Sequence, residues 1–114
     1  MRNIFLPVIF FLIIQCSTSS KSIYSQQLSY KINPFNILTV DMRFINKEIN
    51  SFKDIYIGCE TFAKSGTTLG YHHQTVYEIV KGKSEILVKN INLGFVNPQV
   101  SNVDCRIWNV KWLE

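Results

Sequence analysis

Three groups of residues in this chain are of a type that does chemistry: the pair His72-His73, the cysteines at 16, 59 and 105, and Ser65 beside Gly66. The histidines sit in a run rich in tyrosine, threonine and valine, which reads as a strand. Successive side chains on a strand leave from opposite faces, so the two rings cannot close on one metal ion. No carboxylate cluster accompanies them, and no metal site is expected. One ring is expected to pack while the other meets solvent. Ser65 lacks the Gly-x-Ser-x-Gly elbow of hydrolases, and a serine in a turn accounts for it. Glu78 and Glu85 flank the Lys81-Gly82 turn and would face each other across a hairpin. Two carboxylates on a convex surface have no pocket around them. These residues predict no catalytic site, no metal and no cofactor.

The cysteines are more informative because of what precedes them. The chain has 114 residues, room for one domain, and its hydrophobic share of 46% is inflated by one end. Residues 4–14 read Ile-Phe-Leu-Pro-Val-Ile-Phe-Phe-Leu-Ile-Ile, apolar throughout. As a helix this run reaches about 16 Å, half the hydrocarbon thickness of a bilayer. That length suits the apolar region of a signal peptide, with Arg2 and the amino terminus as its positive flank. Residues 1–20 are therefore expected to be a targeting segment with a helical apolar run, and residues 21–114 the exported domain. Two processing routes are open. The sequence Ile13-Ile14-Gln15-Cys16 resembles a bacterial lipobox, with Gln15 where a small residue is usual, and makes Cys16 the lipidation candidate. Ser17 after it, rather than aspartate, implies delivery to the outer membrane. The other route cleaves after the small residues Thr18 and Ser20 and leaves a soluble periplasmic or secreted chain starting at Lys21.

Either route leaves two cysteines, Cys59 and Cys105. An even pair in an exported protein predicts a disulfide. Lone cysteines 46 positions apart lack the Cys-x-x-Cys grouping of a zinc site. The formal charge of +4 is mild and its lysines are scattered, which predicts solvated strand faces and excludes a nucleic-acid surface.

The elements that must position these residues are strands. Ile23–Ile32 reads as the first, stopped by Asn33-Pro34. Ile37–Asn46 alternates most cleanly, with Leu38, Val40, Met42 and Phe44 on one side and Thr39, Asp41 and Arg43 on the other. A loop at 47–53 leads to a strand at 54–60, in which Ile55, Ile57 and Cys59 share a face. Ser65-Gly66 predicts a tight turn with Gly66 at positive φ. Further strands are expected at 71–80, 85–91 and 103–113, separated by Lys81-Gly82-Lys83-Ser84 and by Asn97-Pro98. This spacing indicates a sandwich or barrel.

In the last strand Val103, Cys105 and Ile107 share a face. Both cysteines thus lie on the apolar side of their strands, and a bridge through the core between the two sheets is expected. Beyond Ile107 the apolar set becomes Trp108, Val110 and Trp112, of opposite parity. Either a bulge near Asn109 resets the register and the tryptophans enter the core, or Trp108 and Trp112 form a surface aromatic patch. The second arrangement makes them binding candidates.

The segments Asp54-Ile55-Tyr56-Ile57-Gly58-Cys59, Ser65-Gly66-Thr67, Thr75-Val76-Tyr77, Gly94-Phe95, Gln99 and Cys105-Arg106-Ile107 together resemble small exported bacterial proteins similar to FxLYD-type, immunoglobulin-like β-sandwich domains. The likeness covers residues 37–108. It implies an all-β sandwich of about seven strands and no enzymatic activity. The function expected by analogy is non-catalytic: an envelope module that binds a protein or an envelope component through a sheet face, an edge strand or the end loops. A secreted hydrolase inhibitor presenting the 47–53 or 92–102 loop is one alternative, and an assembly factor of a surface or secretion apparatus is another.

Overall fold

The structure is a computed structural model and describes residues 22–113. The targeting segment expected at 1–20, with its helix and with Cys16, lies outside the described residues. Within them the chain forms six strands: β1 (Ile23–Ile32), β2 (Ile37–Asn46), β3 (Phe52–Phe62), β4 (Thr68–Val80), β5 (Ser84–Phe95) and β6 (Asn102–Trp112). They make two three-stranded antiparallel sheets, ordered β1-β2-β5 and β4-β3-β6, packed face to face. The all-β sandwich is thus present, with six strands instead of about seven. The difference arises because β4 runs unbroken from Thr68 and β5 through to Phe95, so no residues remain for a further strand.

The first two strands have the expected bounds. Asn33 is the reason the first one stops: its side-chain oxygen accepts the N–H groups of Phe35 and Ile37, at 2.8 and 3.0 Å, and so forms the turn. The alternation in β2 works as read, since Leu38, Val40, Met42 and Phe44 are all fully buried. Opposite them, Phe52, Ile55, Ile57 and Cys59 of β3 with Val103 and Cys105 of β6 supply the other half of one core. The turn at 63–67 closes by the Gly66 N–H donating to Ala63 O, with Gly66 at φ 94°. Only β1–β2 and β3–β4 are hairpins. The other three connections cross between sheets, so the Lys81-Gly82 turn joins β4 in one sheet to β5 in the other, and Glu78 and Glu85 do not face each other across a ladder.

The connections gather at two ends. The turns at 33–36 and 63–67 and the 96–101 loop lie together, tied by Val96 N–H to Asn36 O and Ser101 N–H to Phe62 O. At the other end the 47–51 loop and the 81–83 turn meet the chain's entry and exit. There Lys47 N–H donates to Ser22 O, Lys83 N–H to Glu48 O, and Leu113 N–H to Ser51 O.

Two residues fix that second end. Asn46 is 1% exposed, and its amide nitrogen faces the carbonyls of Asn50, Val80 and Lys81 at 2.8, 3.3 and 3.2 Å. Its side-chain oxygen accepts the Glu48 N–H at 2.9 Å. Gly82 is pressed on the loop so closely that a Cβ would lie 1.8 Å from the Ile49 carbonyl oxygen. Backbone on both sides leaves nothing to yield, so Gly82→Ala is expected to cost about 2 kcal/mol or more, read as a lowered urea midpoint.

The seams between the sheets are closed by side chains. A register shift between Gln27 and Ser29 lets Ser25 and Gln27, then Tyr30 and Ile32, turn toward the interior. Gln27 lies along the open edge of β6, donating to Val103 O at 3.0 Å and accepting from Cys105 N–H at 2.7 Å. Ser25 Oγ accepts Ile107 N–H at 3.2 Å, and Tyr30 OH donates to Ser101 O at 3.1 Å. On the opposite seam Gln74 donates to Asn92 O at 2.8 Å. Backbone groups at a sheet edge are thereby satisfied without a further strand.

Candidate functional site

The disulfide joins Cys59 and Cys105, with an S–S distance of 2.05 Å. Its location differs from the expectation. The two residues are directly paired on neighbouring strands, β3 and β6, so the bridge lies within one sheet and does not span the core. Strand parity reports which face a side chain occupies, and both cysteines are indeed on the buried face. It does not report which sheet a strand joins, and here both join the same one. The Cα atoms are 4.0 Å apart, the close spacing of an antiparallel pair that exchanges no hydrogen bonds with each other.

The tryptophans part company. Tyr56 pairs with Asn109 while Ile57 pairs with Ile107, so Trp108 is the extra residue of a bulge. The register therefore does reset near Asn109. From that point Val110 and Trp112 belong to the inward set, and Trp112 meets the buried Phe52 edge to face at 5.6 Å, remaining 44% exposed at the end of the sandwich. Trp108 goes the other way. It lies on the outer face of β4-β3-β6 and is 56% exposed. The register reset holds and takes Val110 onto the core, but neither tryptophan is buried: Trp112 touches Phe52 at the end of the sandwich and Trp108 lies on the outer face, so the two do not form a single patch.

Three strands build the surroundings of Trp108. Its indole covers Gly58 in β3, where a Cβ would stand 2.5 Å from the ring. A glycine in mid-strand thus makes the seat for the ring. Tyr56 in β3 and His73 in β4 stack on each other, with centroids 5.4 Å apart and planes within 9°. Both meet Trp108 near perpendicular, at 6.3 and 4.5 Å. The exposed histidine of the pair is accordingly the one that packs against aromatic rings. His72 faces the other way, opposite Cys59. Its pKa is held below the ordinary histidine value by burial first and by the charge of His73 second.

Polar groups border these rings. A shallow depression is floored by Gly58 and Cys59 and walled by Tyr71, Trp108, Glu60, Asp104 and Arg106. Glu60 accepts from Thr68 Oγ1 at 2.8 Å and from Tyr71 OH at 3.3 Å, while Arg106 pairs with Asp104 at 2.6 Å. A second open depression continues past Trp108 along the β1–β6 seam. The combination offers ring faces for stacking and charged oxygens and nitrogens for hydrogen bonds, in a setting open to solvent. Among the described residues no group of three or more histidine, cysteine, aspartate or glutamate side chains is placed to hold a metal ion. Ser65 Oγ lies 2.9 Å from Thr67 Oγ1, as a turn serine does.

Sequence reasoning found Trp108 and missed its partners Tyr56, His73 and Gly58. The one signal was Gly58 itself, a glycine between Ile57 and Cys59 in a strand interior, which marks a close approach. Comparisons of the chain with protein-family models, with curated proteins and with solved structures found no match.

Proposed function

We propose that this chain is an exported, non-catalytic binding module, an immunoglobulin-like sandwich of the FxLYD type, held in the cell envelope through Cys16. Its ligand is a glycan of the envelope, bound on the outer face of β4-β3-β6. The observation that carries this reading is the Trp108–His73–Tyr56 cluster, solvent-open and adjoining Glu60, Asp104 and Arg106. A pyranose presents C–H groups on its faces and hydroxyls around its rim. Aromatic rings take the first, and carboxylate and guanidinium groups take the second.

Titration of envelope polysaccharides into the mature protein tests this reading. Trp108→Ala is expected to weaken binding at least tenfold, the effect of one lost stack of about 1.5 kcal/mol. Its urea midpoint should stay near that of the parent, because the ring stands outside the core. Gly58→Ala, which unseats the indole and keeps it in the chain, should weaken binding as well. Full affinity in both variants would sink the proposal, as would the absence of any glycan binding in the parent.

A further inference from the structure

The end of the sandwich where the chain enters carries a second, separate surface. Ile49 stands at the tip of its loop and is 81% exposed. With Ile79, Leu113 and the aliphatic stem of Lys81 it lines a shallow apolar depression. Trp112 is half-exposed at the same end of β6. Among the described residues, the 47–51, 81–83 and 111–113 tips carry Lys47, Lys81, Lys83 and Lys111 against one acid, Glu48, and all five are exposed; Glu114 follows in the sequence and leaves the balance positive. Glu85, nearby on β5, is neutralised by Arg43 at 3.4 Å.

Chain length says what lies opposite this end. From Cys16 to Ser22, held beside Lys47, there are six residues, whose full extension is about 20 Å. An acyl chain on Cys16 would keep these tips within that distance of a bilayer. Exposed isoleucines and a tryptophan ringed by lysines match the chemistry of an anionic membrane surface, where apolar groups enter the interface and each lysine finds a lipid phosphate. We infer that the 47–51, 81–83 and 111–113 tips form a contact surface for anionic lipid, so that the sandwich stands on the membrane by this end. The lipid anchor of the proposed function supplies the proximity, and the tips supply a second attachment.

The test uses the mature protein, its start and acylation fixed first by intact mass. Trp108→Phe leaves Trp112 as the one tryptophan in the chain. Its emission is followed with vesicles of phosphatidylcholine, alone or mixed with phosphatidylglycerol, containing lipids brominated near the headgroup. Quenching is expected with the anionic vesicles and not with the neutral ones. In an unacylated chain, Lys81→Gln and Lys83→Gln should each weaken binding about fivefold. In an acylated chain, which stays on either vesicle, the same changes should reduce the quenching. Ile49→Ser should act similarly without touching charge. Quenching that is absent, equal in neutral vesicles, or indifferent to both kinds of substitution overturns the inference. A full precursor mass with three free thiols overturns instead the export reading on which it rests, and shows before any vesicle is added.

Discussion

Loss of the Cys59–Cys105 bridge is expected to destabilise the sandwich by about 4 kcal/mol, the chain-entropy value for a loop closed across 46 positions. That is a large part of the roughly 5–15 kcal/mol that holds a domain of this size. The effect is concentrated because of what the bridge joins. β3 is the central strand of its sheet, and β6 reaches it only after β4 and β5 have been laid down. Pairing β3 with β6 therefore carries the entropy of closing a long loop, and the bridge removes that freedom from the unfolded chain. Thermal unfolding of the Cys59→Ala/Cys105→Ala double variant should show a midpoint lower by roughly 15–30 °C. A fall of only a few degrees would mean that the ladder and the Gln27 seam hold β6 without help.

The second large effect is expected at Asn46. Asn46→Asp replaces an amide nitrogen that faces three carbonyl oxygens with a carboxylate oxygen. Donors become acceptors, and a negative charge is placed on a side chain 1% exposed, against dipoles pointing their negative ends at it. A loss of about 3–5 kcal/mol is expected, the range for an uncompensated buried charge. Its pH dependence separates charge from shape. The folded state raises the pKa of this carboxyl, so the penalty is full above that raised value. It shrinks as pH falls through it toward the unfolded value of about 3.9. Urea denaturation at pH 7 and at pH 4 should find Asn46→Asp closer to the parent at the lower pH. Asn46→Leu, which cannot titrate, should keep a constant deficit. If the aspartate variant behaves like the leucine variant at both pH values, burial of charge is not the cause.

How far the fold could be read from the chain depends on which interactions decide each feature. Local chemistry decides where β1 and β2 stop, and the Asn33-Pro34 turn and the alternation through Phe44 were sufficient to place them. Local chemistry also decides the sides on which Cys59 and Cys105 lie. Which strands become neighbours is a tertiary matter, and the bridge was expected between sheets for that reason. The strand number followed the immunoglobulin-like resemblance and not the residues, and long uninterrupted β4 and β5 left six. At the tryptophans, parity announced a reset near Asn109 but could not say on which side of it Trp108 would fall. The rings around it come from β3, β4 and β6, so their meeting depends on two registers that no single strand encodes. His73 illustrates this: on its own strand it is an exposed side chain, and only the pairing of Gly58 with His73 sets it beside Tyr56 and Trp108.

The amide of Gln27 acts toward β6 as a counterfeit piece of backbone, presenting one donor and one acceptor at strand spacing. A real strand in that place would recruit another after it, because every added strand exposes a new ladder. A side chain ends the series. The inner positions 25 and 27 of β1 are thus sites where a valine, which most cores would accept, removes the stopper and leaves β6 open to another molecule's edge.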